Sequence, residues 1–530
     1  MKKQFIFIFL LIGSIIMTNL TPMASSLDDE DRREALELAE EDTPQLTTEE
    51  KNALLSALYE SNISDIREAI DLELITCQEL TAYYLERIEE YNEEYNCFIT
   101  ICDDAMEQAA ARDSAIADGT AKGSLFGIPI VVKDNIRVAG YPTTNGLYSP
   151  WLSTANAEVV ELLINEGAVI IAKANMSTEA QVARTCISAL SGETKNAYNP
   201  LLSAGGSSGG SAVATSLNFC TAALGTDTNA SLRIPSALNG CISLRVTTGL
   251  ISTENVIVLN PNRDVVGAIT RTVEDQAIML DVLTGGVNNY YDNLDPNILA
   301  GLRIGVLEEL STCNDFTDNY DYERSEKNLD PEIVAAFDKA TKELEACGAE
   351  IIYVSMPDIF NLSQWTFSTE RFSDIQYFGS EFEGFLTENG LDAVIFPSYL
   401  STPIRSGVDE EGNNWNPDKQ PFINNCSVLS SCAAIPEITV PIGTHSLGAG
   451  IGMEIATYAD GEQPLLDIAY SYTEKYNHRV VPEGTPDLYY QYNKGTISEQ
   501  IDSYLFSLLP VPEESSSFID IVGIIISTIK

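Results

Sequence analysis

Two glycine-rich turns bracket one short apolar run, and no other feature of this sequence restricts the fold as much. The first turn, Gly205-Gly-Ser-Ser-Gly-Gly-Ser211, runs without a break into Ala212-Val-Ala-Thr-Ser-Leu217; the second lies in Gly225-Thr-Asp-Thr-Asn-Ala-Ser-Leu-Arg-Ile-Pro235. Glycine permits positive φ and lets backbone amides approach another group closely. A flexible linker has a similar composition, but two such turns joined by an apolar segment read instead as the tight entry to a buried helix. Upstream, Gly127-Ile-Pro-Ile-Val-Val132 reads as a short buried strand that ends at Lys133, and Asp134-Asn135 then turn the chain.

These positions carry compatible chemistry. A serine hydroxyl is a poor nucleophile until a base takes its proton, and a lysine serves as that base only when desolvation leaves it neutral. A lone lysine at a strand end is ordinarily one that snorkels to water. Here Lys133 comes with Ser207 in the first turn and Ser231 in the second, a set that builds a serine hydrolase without histidine.

On these residues the chain resembles the amidase signature family, whose members hydrolyse amides with a Ser-cisSer-Lys triad. Gly205 to Gly249 follows that family's signature block, and similarity continues through Thr143-Thr-Asn-Gly146, Gly167 to Met176, Gly267 to Asp275 and Pro436 to Pro441, so that it covers about 60 to 480. The resemblance implies an α/β fold with a large mixed β-sheet covered by helices on both faces. It makes Ser231 the nucleophile, Ser207 the bridging serine after a cis peptide bond, and Lys133 the base. The backbone amides of Thr228, Asn229, Ala230 and Ser231 become the oxyanion hole, and Asp227 and Arg233 brace the loop around it. It calls for no cofactor and no metal, and for a small-molecule or peptide amide as substrate.

Two departures from the family stand inside the block. Asn229-Ala230 replaces the usual Gly-Gly or Asp-Gly before the nucleophile, and a β-carbon at Ala230 disfavours positive φ. A negative φ is therefore expected there, leaving the oxyanion donors aligned. Arg245-Val246 replaces the usual Lys-Pro, a change expected to be structural.

Charge and composition narrow the context. The chain has 530 residues, enough for one large core or two modest ones. Its 78 acidic against 30 basic residues give a net charge of −48, which removes the electrostatic basis for binding nucleic acid and weighs against a tRNA-dependent amidotransferase component. Lys2-Lys3 and the apolar run Phe5 to Met17, followed by Ala24-Ser-Ser26, read as a signal peptide. Export and the absence of a lasting membrane span follow from that reading. The tail Phe518 to Ile529 only faintly resembles a lipid-anchor signal. Cys97 with Cys102, and Cys426 with Cys432, are close enough in sequence to pair, whereas Cys220 and Cys241 read as core residues. His445 and His478 are the only histidines, and no metal-ligand spacing is present. The sequence leaves the oligomeric state open.

Turn signals divide the chain into a signal peptide at 1–26, an acidic linker at 27–54, an amidase domain at 55–485 with a possible smaller lobe at 300–420, and an extension at 486–530. Thr76-Cys-Gln-Glu79 has the form of a helix-opening capping box. Two segments, around Gly167 and Gly348, read helix, glycine, strand. Asp409 to Pro421, with Trp415, reads as a polar loop. Two rival readings stay open: a catalytically silent binding protein in which Ala230 spoils the oxyanion hole, and a Ser-His-Asp α/β-hydrolase using Gly205-x-Ser207-x-Gly209 as its nucleophile elbow.

Overall fold

Short apolar runs, most of them buried on both faces, assemble into one eleven-stranded sheet. The strands are β1 (Phe98–Ile101), β2 (Pro129–Lys133), β3 (Val169–Ala174), β4 (Ala222–Asp227), β5 (Ile242–Arg245), β6 (Val265–Thr270), β7 (Arg303–Leu307), β8 (Glu350–Val354), β9 (Ala393–Pro397), β10 (Glu437–Thr444) and β11 (Gly450–Ala456). Their spatial order is β1-β3-β2-β4-β6-β5-β10-β11-β9-β7-β8. Parallel pairs lie towards the two ends of the sheet, β3-β2-β4 and β9-β7-β8, and antiparallel pairs fill the middle. Every residue of β2, β3, β4, β5, β6, β9 and β11 is buried, as a sheet covered on both faces requires. This is the expected mixed α/β architecture.

The computed structural model describes residues 46–148, 151–311, 328–406, 416, 419–492 and 495–501. The signal peptide, most of the acidic linker, the tail beyond 501 and most of the polar loop with Trp415 lie outside the described residues. The first described helix, Thr48–Ala57, opens on a capping box between Thr47 and Glu50 and starts ahead of the expected onset at 55. The capping box at Thr76 opens the helix Cys77–Tyr95. Both helix-glycine-strand segments take the form read from sequence: Glu158–Asn165 leads through Gly167 to β3, and Pro331–Ala346 leads through Gly348 to β8. Strands β7, β8 and β9, in the stretch read as a smaller lobe, extend the same sheet. Helices Ile359–Thr369 and Phe372–Asn389 pack there over a second apolar cluster that includes Leu307, Phe378, Phe382 and Phe396.

Two features of this frame position the site. Lys133 ends β2, and Ser231 lies four residues beyond the end of β4, the parallel neighbour of β2. Helix Gly209–Ser216 is buried throughout, and it begins tightly because a β-carbon on Gly210 would press into the carbonyl oxygens of Asn175 and Cys97. At its other end, Arg87 donates to the carbonyls of Leu217, Asn218 and Thr485 at 2.9 Å each. One guanidinium thereby joins the C-terminal end of this helix to a segment 268 positions further along the chain.

Candidate active site

Lys133 is fully buried, and its Nζ lies 2.7 Å from Ser207 Oγ, 2.9 Å from Ser208 Oγ and 2.8 Å from Thr226 Oγ1. No carboxylate hydrogen-bonds it among the described residues. Burial is the largest influence on its pKa and drives it down to about 7, while Cys186, Asp264 and Asp227 nearby oppose that shift. Asp134, the next residue, faces Lys173 instead at 3.5 Å, with Thr144 donating to its other oxygen.

The peptide bond between Gly206 and Ser207 is cis. Gly206 N–H donates to Ala183 O at 2.6 Å, and Ser207 O accepts from Ser177 N–H at 3.1 Å. The two turns meet directly, since Ser208 N–H donates to Ser231 O at 3.1 Å. Ser231 is 4% exposed, and no side chain hydrogen-bonds its hydroxyl among the described residues. The fold thus brings Lys133, Ser207 and Ser231 to one place.

Asp227 organises the turn that carries Ser231. Its carboxylate accepts from the backbone N–H groups of Ala230 at 2.9 Å and Leu232 at 3.0 Å, and from Arg233 Nε at 3.1 Å. Arg245 Nη1 donates to the same carboxylate at 3.0 Å. Burial alone would raise the Asp227 pKa, but these two guanidiniums hold it far below the usual carboxylate range. Arg233 continues to Cys426 O at 2.6 Å and to Glu437 Oε1. Cys426, Glu437 and Glu454 converge there with the donor atoms of a metal centre, yet the cationic partner in that cluster is Arg233.

A family model described as Amidase matches residues 79–378. The chain belongs to the amidase family. A glutamyl-tRNA(Gln) amidotransferase protein of Lawsonia intracellularis is 36% identical over 294 residues, 53% of this chain and 57% of that protein. Mandelamide hydrolase of Pseudomonas putida is 32% identical over 314 residues, 58% of each chain. The native peptide amidase of Stenotrophomonas maltophilia superposes with a TM-score of 0.67 at 25% identity, over 80% of this chain and 98% of that one. The matched stretch spans 57% and 61% of the length of the first two curated relatives.

Within this amidase-family chain, the departure at Ala230 behaves differently from the sequence expectation. Ala230 has φ +88°, not a negative value. The cause is local: Asp227 draws in the N–H of both Ala230 and Leu232, which bends the intervening turn against its carboxylate. The Ala230 amide is thereby committed to Asp227, so of the four backbone donors expected for an oxyanion, those of Thr228, Asn229 and Ser231 remain. Arg245, the other departure, is structural as expected. Besides Asp227 it binds Thr248 Oγ1 at 3.2 Å and Arg263 O at 2.7 Å.

Ser208 and Thr226, both in contact with Lys133, carry no sequence signal of that role. Both stand inside the signature block, but nothing in their spacing marks them as lysine partners. The nucleophile-elbow reading fails, because no strand leads into Gly205 and both histidines are engaged elsewhere. His445 pairs with Asp330 at 3.1 Å and His478 with Glu343 at 2.7 Å. All nine described cysteines are unbonded thiols, including the two candidate pairs. Cys313 lies outside the described residues. No described helix is long and apolar enough to cross a membrane.

Proposed function

We propose that this chain is an exported amidase that hydrolyses a carboxylic amide through an acyl-Ser231 intermediate. The observation that carries this reading is Lys133, a buried lysine with a pKa near 7 at 2.7 Å from Ser207 Oγ. A neutral amine has two N–H bonds and one lone pair. Ser208 Oγ already donates to Thr226 O at 3.1 Å, so it accepts from Lys133. With the second N–H given to Thr226 Oγ1, the lone pair is left for the Ser207 hydroxyl proton.

In this mechanism Ser231 Oγ attacks the amide carbon while its proton passes to Ser207 and the Ser207 proton passes to Lys133. The tetrahedral oxyanion is held by backbone N–H groups of the turn. The proton returns along the same path to the leaving amine, the C–N bond breaks, and water then hydrolyses the ester. No step calls for a metal or cofactor. A small-molecule or peptide amide suits relatives named for mandelamide and for peptide amides. The net charge of −48 speaks against a tRNA partner despite the amidotransferase relatives.

The test is incubation with a panel of acyl fluorophosphonates and mapping of the tagged residue. Label on Ser231 supports the reading, and label on another serine, or none in a folded protein, rejects it. N-terminal sequencing of protein from the culture medium tests export, and a mature start near residue 27 is expected.

Ala230 favours a second reading. A non-glycine residue at φ +88° whose amide is already engaged is what a silenced relative would carry, and such a protein would bind amides without turning them over. Tight substrate binding without product formation would identify it.

A further inference from the structure

The site lacks one backbone donor, and the side chain next to it offers a replacement. Asn229 stands two residues before Ser231 and is half-buried. Its Oδ1 accepts from Ser431 Oγ at 3.1 Å, on the short buried helix Ser430–Ala433. A carboxamide is planar, so fixing its oxygen on Ser431 also fixes the direction of its NH2 group, away from Ser431. Among the described residues no acceptor meets that NH2.

We infer that the Asn229 side-chain amide is a catalytic residue: its Nδ2–H donates to the carbonyl oxygen of the substrate as that oxygen takes up negative charge. The inference rests on the acyl-Ser231 reading above. Three observations converge on it. The Ala230 N–H is committed to Asp227, which removes a donor from the turn. Asn229 carries two N–H bonds on the same turn. Ser431, fully buried, holds the amide against rotation. A preorganised side-chain amide serves an oxyanion as a backbone N–H does, provided that it does not have to reorient during the reaction.

Ser431 is then a positioning residue. Its one hydroxyl proton goes to Asn229 Oδ1, the nearer acceptor at 3.1 Å against 3.4 Å for Ser427 O, and its backbone carbonyl accepts from Arg263 Nη1 at 3.4 Å.

The decisive experiment measures kcat and KM for Asn229→Gly, Asn229→Asp and Ser231→Ala on one hydrolysed amide. Asn229→Gly keeps the backbone and removes the donor. Asn229→Asp keeps the size and the oxygen facing Ser431 but replaces the NH2, and it serves if the glycine variant fails to fold. Loss of one oxyanion donor typically lowers kcat by about 10²–10³-fold, and that fall with KM changed less than about threefold is expected for both Asn229 variants. If Ser231→Ala is inactive while a folded Asn229 variant keeps kcat within about threefold of the parent, this inference alone is overturned. If Ser231→Ala stays active, the acyl-serine reading falls and this inference falls with it.

Discussion

Lys133 Nζ lies 2.7 Å from Ser207 Oγ, while the neighbouring carboxylate of Asp134 is spent on Lys173. The chain therefore buries two lysines side by side and pairs only one of them with an acid. An ion pair would hold Lys133 protonated and useless as a base. Left to hydroxyls and lowered by burial to about 7, it loses its proton near neutrality.

That arrangement fixes the pH response. The base acts only when deprotonated, so kcat/KM is expected to rise with pH on a single limb through about 7 and then level off. The same group links pH to stability. Its folded pKa, about 7, lies below its ordinary 10.5, so the unfolded chain holds more protons between those values and stability rises with pH across that window. Lys133→Met should abolish turnover and flatten that rise in urea unfolding. An activity optimum well below neutrality, in protein that stays folded, would contradict the assignment.

Replacing the triad members separates this chemistry from histidine catalysis. Ser231→Ala should abolish fluorophosphonate labelling, and Ser207→Ala or Lys133→Ala should lower kcat by at least about 10³-fold. The double variant His445→Ala with His478→Ala should change kcat little, because each ring is paired with a carboxylate outside the site. Loss of activity in that double variant, if folded, would refute the lysine mechanism.

Ala230 supplies a prediction about stability. A left-handed backbone on a non-glycine residue costs roughly 1–2 kcal/mol, and Gly gives back about 0.4–1 kcal/mol through the unfolded chain. Ala230→Gly should therefore stabilise by about 1 kcal/mol in urea unfolding, with kcat changed less than about tenfold, because the amide stays bound to Asp227. A rise in kcat of about a hundredfold from near background would instead mark a silenced amidase.

Glu437 tests the support beneath the turn. Burial, reinforced by nearby Glu454, pushes its pKa up to about 8 even though Arg233 donates to it. Glu437→Ala leaves Arg233 paired with Asp227 but removes one buried acceptor, and should destabilise by roughly 1–3 kcal/mol. Glu437→Gln retains an acceptor and should cost much less. Equal losses in the two variants would show that packing, not the hydrogen bond, matters there.

The glycine block, the strand ending at Lys133 and the two helix-glycine-strand units were legible in the sequence because each is a local pattern. Glycine marks close backbone approach, and apolar runs mark burial. The conformation of Ala230 was not legible, since it is imposed by a carboxylate three residues away that draws in two amides at once. The contacts of Lys133 with Ser208 and Thr226, and of Asn229 with Ser431, depend on how loops meet after folding. Asn229 and Ser431 are 202 positions apart, and no spacing rule connects them. Strands β7 to β9 hold equally strong local signals, but whether they extend one sheet or begin another depends on the pairing of β9 with β11.

The proposed base and nucleophile, Lys133 and Ser231, follow from adjoining strands, β2 and β4, which pair Val132 with Leu224 just before Lys133. Their relative placement therefore depends on the register of that parallel pair, and a one-residue slip would carry Lys133 about 3.3 Å along β2 and turn its side chain to the opposite face of the sheet.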